Sequence, residues 1–291
     1  MAKFQGMKIN PKRFHRSQLK FFAVLVPMGV FMALPLIFIF NHAFKPVSEL
    51  YAFPPRFFVR QPTFSNFSDL VALTAESGIP FSRYVFNSVL VAAIGVSLSV
   101  VITGLAAYSL SKLKFKGKKT LFEINTLALM FVPIAVTIPR YLTITKIGLI
   151  DTYFGLVLPL IAMPVGLFLV KQFIDQTPDE LIESAKIDGA SEMQVFLKII
   201  VPIVSPALAT VSILAFQLIW NDIIGSTLYV DDESLKTLAF YFSTLAARTG
   251  NTVAGQGIMA AATLISFIPN IVIFIFLQNK VMNTMAHSGI K

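Results

Sequence analysis

Along most of this chain apolar residues run on without the three- or four-residue interruptions of a surface helix. A helix rises about 1.5 Å per residue, so about 20 predominantly apolar residues cross the hydrocarbon core of a bilayer. Six stretches contain no Asp, Glu, Lys or Arg: Phe21–Phe44, Tyr84–Ser111, Ile124–Pro139, Thr152–Val170, Ile199–Asn221 and Thr249–Asn279. Each predicts a membrane span. The third is the shortest and holds Pro133 and Pro139. It is expected to begin near Lys119 and carry Glu123 at the membrane interface, or to kink. Prolines are tolerated inside such helices where neighbours satisfy the freed backbone groups.

Polar positions are confined to the gaps. In the second span Gly95, Ser99, Thr103 and Ala107 recur every four residues and share one side. Small residues let helix backbones approach closely in lipid. Two uses fit: a seam packed within this chain, or a seam that moves against a partner.

The segment from Thr177 to Pro202 could not lie in lipid, because it carries Glu183, Lys186, Asp188, Glu192 and Lys198. Thr177 followed by Pro178 and Glu180 predicts a capped helix start. Gly189 supplies the left-handed position that ends the helix. Ser191 with Gln194 predicts a second capping box, whose helix carries Phe196, Ile199 and Ile200 straight into the fifth span. Leu181, Ile182, Ala185 and Ile187 are the apolar residues of the first helix. So short a helical pair needs the membrane domain or a partner to pack against.

Composition sharpens the class. Of the 291 residues 55% are hydrophobic and 13% charged, where soluble domains are nearer a quarter charged. The fold class is therefore all-α: a polytopic membrane protein of six transmembrane helices with a helix–turn–helix outside the bilayer. The net charge of +9 raises nucleic acid as a partner, and the placement of the charge argues against it. The arm before Phe21 holds six Lys and Arg, the loop Lys112–Lys119 five, the segment 171–198 three and the C-terminal tail two. By the positive-inside rule these sixteen lie on the cytoplasmic side with both termini. The domain plan is a cytoplasmic arm (1–20), a six-span domain (21–280) and a cytoplasmic tail (281–291). Within the domain lie an extracytoplasmic loop at about 42–83 and a cytoplasmic loop at about 177–202. The basic start is not read as a secretion signal, since its apolar run is too long and no small-residue cleavage site follows.

Chemistry is sparse. No cysteine is present, and His15, His42 and His287 are far apart, so no metal site or cofactor is expected. A P-loop needs Gly, four residues and Gly-Lys-Ser/Thr. Gly117-Lys118 has Lys112 where the first Gly belongs and Lys119 where Ser or Thr belongs. The chain is not expected to be an enzyme. Polar groups within spans are functional candidates, which singles out Gln217, Trp220, Asn221 and Asp222 as a substrate path. An indole beside amide and carboxylate groups suits a sugar. The alternative is that Trp220 anchors at the interface and Gln217 bonds a neighbouring helix.

Glu183, Ala185, Gly189, Ile199 and Pro202 stand at the spacing of the EAA loop of ABC-importer permeases. That pattern is Glu-Ala-Ala, three residues, Gly, nine residues, Ile, one residue, Leu-Pro. Ser184 and Val201 depart from it. Asp188 and Pro206, the stretch Ile219–Phe242 and the last span and tail resemble the carbohydrate branch, above all the second permease subunit of maltose-type importers. The tail departs from that branch's usual ending, with His287, Ser288, Gly289, Ile290 and Lys291.

The resemblance implies the type I importer fold and transport of a carbohydrate, an oligosaccharide in that branch. The implied partners are a homologous permease, two cytoplasmic ATPase subunits that hydrolyse ATP, and an extracytoplasmic solute-binding protein. It implies that the EAA loop seats in a cleft on an ATPase, with Glu183, Asp188 and Gly189 in the coupling element. Ile182, Ala185 and Met193 are its expected apolar contacts, while Phe196 and Pro202 fix it to the fifth span. Two other readings stay open: the same fold carrying a polyamine or phosphonate, and a membrane enzyme or scaffold with no ATPase.

Overall fold

The computed structural model describes residues 19–74 and 78–288, with side chains as far as Val281. Most of the basic arm and the end of the tail lie outside the described residues. In chain order the helices are α1 Leu19–Phe44, α2 Val47–Leu50, α3 Ser65–Ala72, α4 Phe81–Lys112 and α5 Lys118–Ala128. They continue as α6 Thr137–Lys146, α7 Tyr153–Ile161, α8 Pro164–Asp175, α9 Glu180–Ile187 and α10 Glu192–Val195. The last are α11 Val201–Ile203, α12 Ser205–Trp220, α13 Ile224–Leu228, α14 Leu238–Thr249 and α15 Val253–Ser288. No strand occurs among the described residues.

Four helices are long and apolar enough to cross a membrane, and six spans result if each of two bent pairs is one span. The bent pairs are where proline interrupts the pattern. From α5 to the segment Pro133–Lys146 the chain turns by 111°, and from α7 to α8 by 46°. The residue before a proline is driven out of the helical region, and Val132 and Met163 are both extended. The third charge-free stretch is thus kinked, and Glu123 on α5 is exposed, 3.8 Å from Lys119.

The chain divides into two compact units, residues to Leu70 with Thr249–Leu264, and Val71–Arg248 with Ile265 onward. In the first, the segment after α1 folds back onto the helix end instead of forming a free domain. Asn66 is fully buried and donates to the carbonyls of Ala43 at 3.0 Å and Lys45 at 2.8 Å. These carbonyls are orphans of a helix end. Phe44 packs against Phe64 and Phe67, and Ala43 against Ala260 and Ala261. A side chain at Gly257 would meet Asn66 Oδ1 at 2.6 Å, so glycine is required there. Glu49 accepts from the backbone N–H of Arg60 and Gln61, which hold its carboxyl below the usual range.

The second unit is organised on α4, which packs against α12, α8 and α7. Its small-residue stripe, Gly95, Ser99, Thr103 and Ala107, is buried in this chain's own packing. A Cβ at Gly95 would lie 2.6 Å from Ile219 of α12, and one at Gly104 3.3 Å from Phe196. At the Phe81 end of α4, Asn87 is fully buried. Its amide donates to Ser234 O at 2.9 Å and Lys236 O at 2.8 Å, and its Oδ1 accepts from Tyr153 at 2.8 Å. Tyr84 stacks on Tyr241 nearby.

Candidate functional site

Between α8 and α12 the chain builds the polar element singled out above. Its helix start differs from expectation. The N-cap is Asp179 in helical backbone geometry, with no side-chain cap bond. Thr177 does not cap, since its hydroxyl is buried without a partner. The reason is tertiary: Lys112 at the end of α4 donates to Thr177 O at 2.7 Å and to Asp179 Oδ1 at 2.5 Å. That contact fixes the turn, so Pro178 stands before the helix and Glu180 opens it.

The helix end follows the sequence. Gly189 has φ +83°. The Ala190 N–H bonds Ala185 O at 2.9 Å and the Gly189 N–H bonds Lys186 O at 3.0 Å, which is the Schellman arrangement. Ser191 and Gln194 form the complete capping box. A rigid helix closed by a glycine hinge and restarted at once is the result.

The continuation into α12 is not straight. Residues Phe196–Ile200 form a π-helical turn, α11 is one turn long, and Val204 separates it from α12. Pro202 and Pro206 lack the N–H that would bond the carbonyl four residues back, so the ladder must widen or break. Pro202 is exposed. Phe196 is buried and packs on Tyr108, ring centroids 5.5 Å apart, and on Gly104. It shares a core with Ala207 and Val211 of α12 as well as Ala107 and Tyr108 of α4, so it fastens the element to the fifth span, as expected, and also to α4.

One face of α9 enters the core of this unit. Ile182 is buried with Val195, Phe196 and Ile200, and Ala185 packs half-buried at its edge. Ile182 thus faces inward and is not an outward contact. Leu181 and Ile187 of α9 are 45% and 86% exposed, and Met193 at the start of α10 is 54% exposed. Glu183 and Asp188 are exposed with them, and the Glu183 carboxylate has no partner among the described residues. Leu181 and Ile187 were legible only as apolar; which face turns outward follows from Ile182 packing into the core.

Two polar contacts tie this element to the last turn of α4, and a third ties the end of α8 there. Tyr108 donates to Glu192 Oε2 at 2.6 Å, Ser111 to Asp175 Oδ1 at 2.5 Å, and Lys112 to Asp179. Lys186 bonds the other Glu192 oxygen at 2.5 Å. The Lys186 ammonium and then the Tyr108 hydroxyl hold the Glu192 carboxyl below the usual range. Lys112 does the same for Asp179.

The four residues proposed for a substrate path separate into two kinds. Trp220 is buried, stacks on Phe216 at 5.4 Å and donates its indole N–H to Ser266 O at 3.1 Å. Asp222 caps the turn at Gly225 N, 3.0 Å away. Both serve the fold. Gln217 and Asn221 are exposed on one side of the helix end, joined by an Asn221 Nδ2 bond to Gln217 O at 2.8 Å. A cavity of about 550 Å³ opens where the two bent pairs break, with Leu129, Val136, Pro159, Met163 and Leu218 on its walls and Arg140 its only charged group. Arg140 closes the third charge-free stretch, so in the sequence it reads as a flanking charge.

Residues 99–280 match the family described as binding-protein-dependent transport system inner membrane component. The chain is 33% identical over 274 residues to a putative ABC transporter permease protein, ORF2, of Caldicellulosiruptor sp., covering 93% of this chain and 96% of that protein. It is 30% identical over 276 residues to the trehalose transport system permease protein SugB of Mycobacterium tuberculosis, covering 93% and 97%. Its fold matches a crystal structure of a bacterial ABC transporter involved in the import of the acidic polysaccharide alginate. That match has TM-score 0.76 and 22% identity, and covers 93% of this chain and 99% of the other. The chain belongs to the family of binding-protein-dependent transport system inner membrane components. It is a multi-pass membrane permease, and its overall fold is that of an ABC importer permease.

Proposed function

We propose that this permease carries a carbohydrate, in particular an oligosaccharide, and is driven by ATP hydrolysed on two separate cytoplasmic ATPase subunits. It forms the path with a homologous permease and receives its cargo from an extracytoplasmic solute-binding protein. Both termini, the loop Lys112–Lys119 and the 177–202 element face the cytoplasm, and the segment at about 42–83 faces out. Relatives whose names state a cargo support the sugar reading: trehalose for the Mycobacterium protein and arabinooligosaccharides for AraQ of Bacillus subtilis, 27% identical.

The observation that carries the ATPase reading is the outer face of α9. Leu181, Glu183 and Ile187 stand exposed on α9, which Gly189 closes, and Met193 stands exposed on α10, which the Ser191–Gln194 box opens. A capped helix can pass on rigid-body motion, and Glu183 gives orientation at an interface more than affinity. Exposed Gln217 and Asn221 are the members of the proposed path that remain free for a sugar's hydroxyls.

The test uses the complete importer in proteoliposomes with its binding protein. Glu183→Ala, or Val in place of Gly189, is expected to leave insertion intact and to separate ATP hydrolysis from uptake. Unchanged hydrolysis and uptake in both variants would overturn the ATPase reading.

A further inference from the structure

We infer that α4, and not the chain's own continuation into α12, is the lever that carries motion of the 177–202 element into the membrane. The inference rests on the ATPase reading above and specifies its route through this chain. Two routes leave the element. The covalent one runs through the π-helical turn Phe196–Ile200, the single turn of α11 and the break at Val204. Each is a place where the helical ladder is widened or interrupted, so a push along it is absorbed as bending.

The second route is lateral. Tyr108, Ser111 and Lys112 are spaced three and four residues apart, so they share one face of the last turn of α4. Two of them grip the element: Lys112 holds Thr177 and Asp179 at the start of α9, and Tyr108 holds Glu192 beyond Gly189. Ser111 holds Asp175, the last residue of α8, at the point where the element begins. Lys186 adds a tie from α9 itself to Glu192. Beneath these contacts Ile182, Val195 and Phe196 share a core with Ala107 and Tyr108. Charge-assisted hydrogen bonds are the short and strong kind, and the element cannot tilt without pulling the end of α4. That helix then bears on α12, α8 and α7 through its buried stripe. Tyr108, Ser111 and Lys112 are thus positioning residues for transport: they touch no substrate and act through the element they hold.

The chain has no cysteine, so spin labels can be placed on it cleanly. In the assembled importer, labels at Ser97→Cys on α4 and Leu142→Cys on α6, both exposed, report whether α4 moves. Between the nucleotide-free state and the ATP–vanadate state the distance is expected to change. In a Tyr108→Phe, Lys112→Met double variant the shifted fraction should fall at least about fivefold, the lower end of a typical coupling free energy. Lys112→Arg in the Tyr108→Phe background should recover part of it, and the thermal midpoint of the double variant guards against misfolding.

A constant distance in the parent importer would overturn the inference, as would a full shift in a double variant whose midpoint is within a few degrees of the parent's. Should Glu183→Ala abolish the shift while the double variant keeps it, the ATPase reading stands and the lever falls. If neither has any effect, both fall.

Discussion

The two ends of α4 are held by different chemistry. At the Phe81 end, Asn87 is fully buried among neutral partners, with its amide and carbonyl both satisfied by Ser234, Lys236 and Tyr153. At the Lys112 end, Tyr108, Ser111 and Lys112 meet carboxylates that water can reach. A buried neutral network cannot shift without leaving polar groups unpaired, each costing about 1–3 kcal/mol. Water-accessible ion pairs each contribute less to stability, and here they act together above the apolar core that Ile182, Val195 and Phe196 share with Ala107 and Tyr108. One end of the helix is thereby built as a fixed point and the other as a grip.

The comparison breaks most readily at the fixed end. Asn87→Leu should lower the unfolding free energy by about 3 kcal/mol, because Lys236 O and the Tyr153 hydroxyl lose the partner shown here while Ser234 O keeps Arg83, and a thermal or denaturant midpoint in mild detergent measures it. A cost as small as that of Lys112→Met would erase the distinction between the ends. Next in size, Gly95→Val should cost about 2 kcal/mol by overpacking, since a Cβ already lies 2.6 Å from Ile219. Its effect should be on stability, with the grip residues still in place. Gly189→Ala should cost about 1 kcal/mol, because φ +83° is strained for any residue with a Cβ, although nothing lies within 4 Å of that position.

The smallest effect concerns pH. Glu192 is held below its ordinary value of 4.5 by Lys186 and Tyr108. A carboxylate with a depressed folded-state pKa stabilises above the unfolded value and loses that contribution as pH falls through the folded one. The grip should therefore be constant from pH 8 to pH 6 and weaken only below about 4.5. Tyr108→Phe should reduce that acid dependence, and pH-resolved midpoints of parent and variant check it.

Local features of this fold were legible in the sequence. Gly189 and the Ser191–Gln194 box depend on residues within a few positions of each other, and both stand as read. All six charge-free stretches lie mainly in helices. Tertiary choices were not legible. Thr177 reads as a cap, yet Lys112, distant in sequence, sets that turn. Ile182 and Ile187 both read as apolar, and only the core packing of Val195, Phe196 and Ile200 decides that Ile182 is buried and Ile187 exposed. Pro133 announces an interruption, but not a bend of 111°, and the 46° bend at Pro164 was not read at all. Trp220 reads as a platform for a ring, while the fold had already given its face to Phe216 and its N–H to Ser266.

The central claim is that the outer face of α9 is an ATPase contact, and one measurement addresses it directly. In the cysteine-free chain, Ile187→Cys places a lone thiol on the most exposed apolar residue of that face. Within the assembled importer it should cross-link to an ATPase subunit in high yield and resist a soluble maleimide. A thiol that labels freely and yields no cross-link to the ATPase would contradict the account.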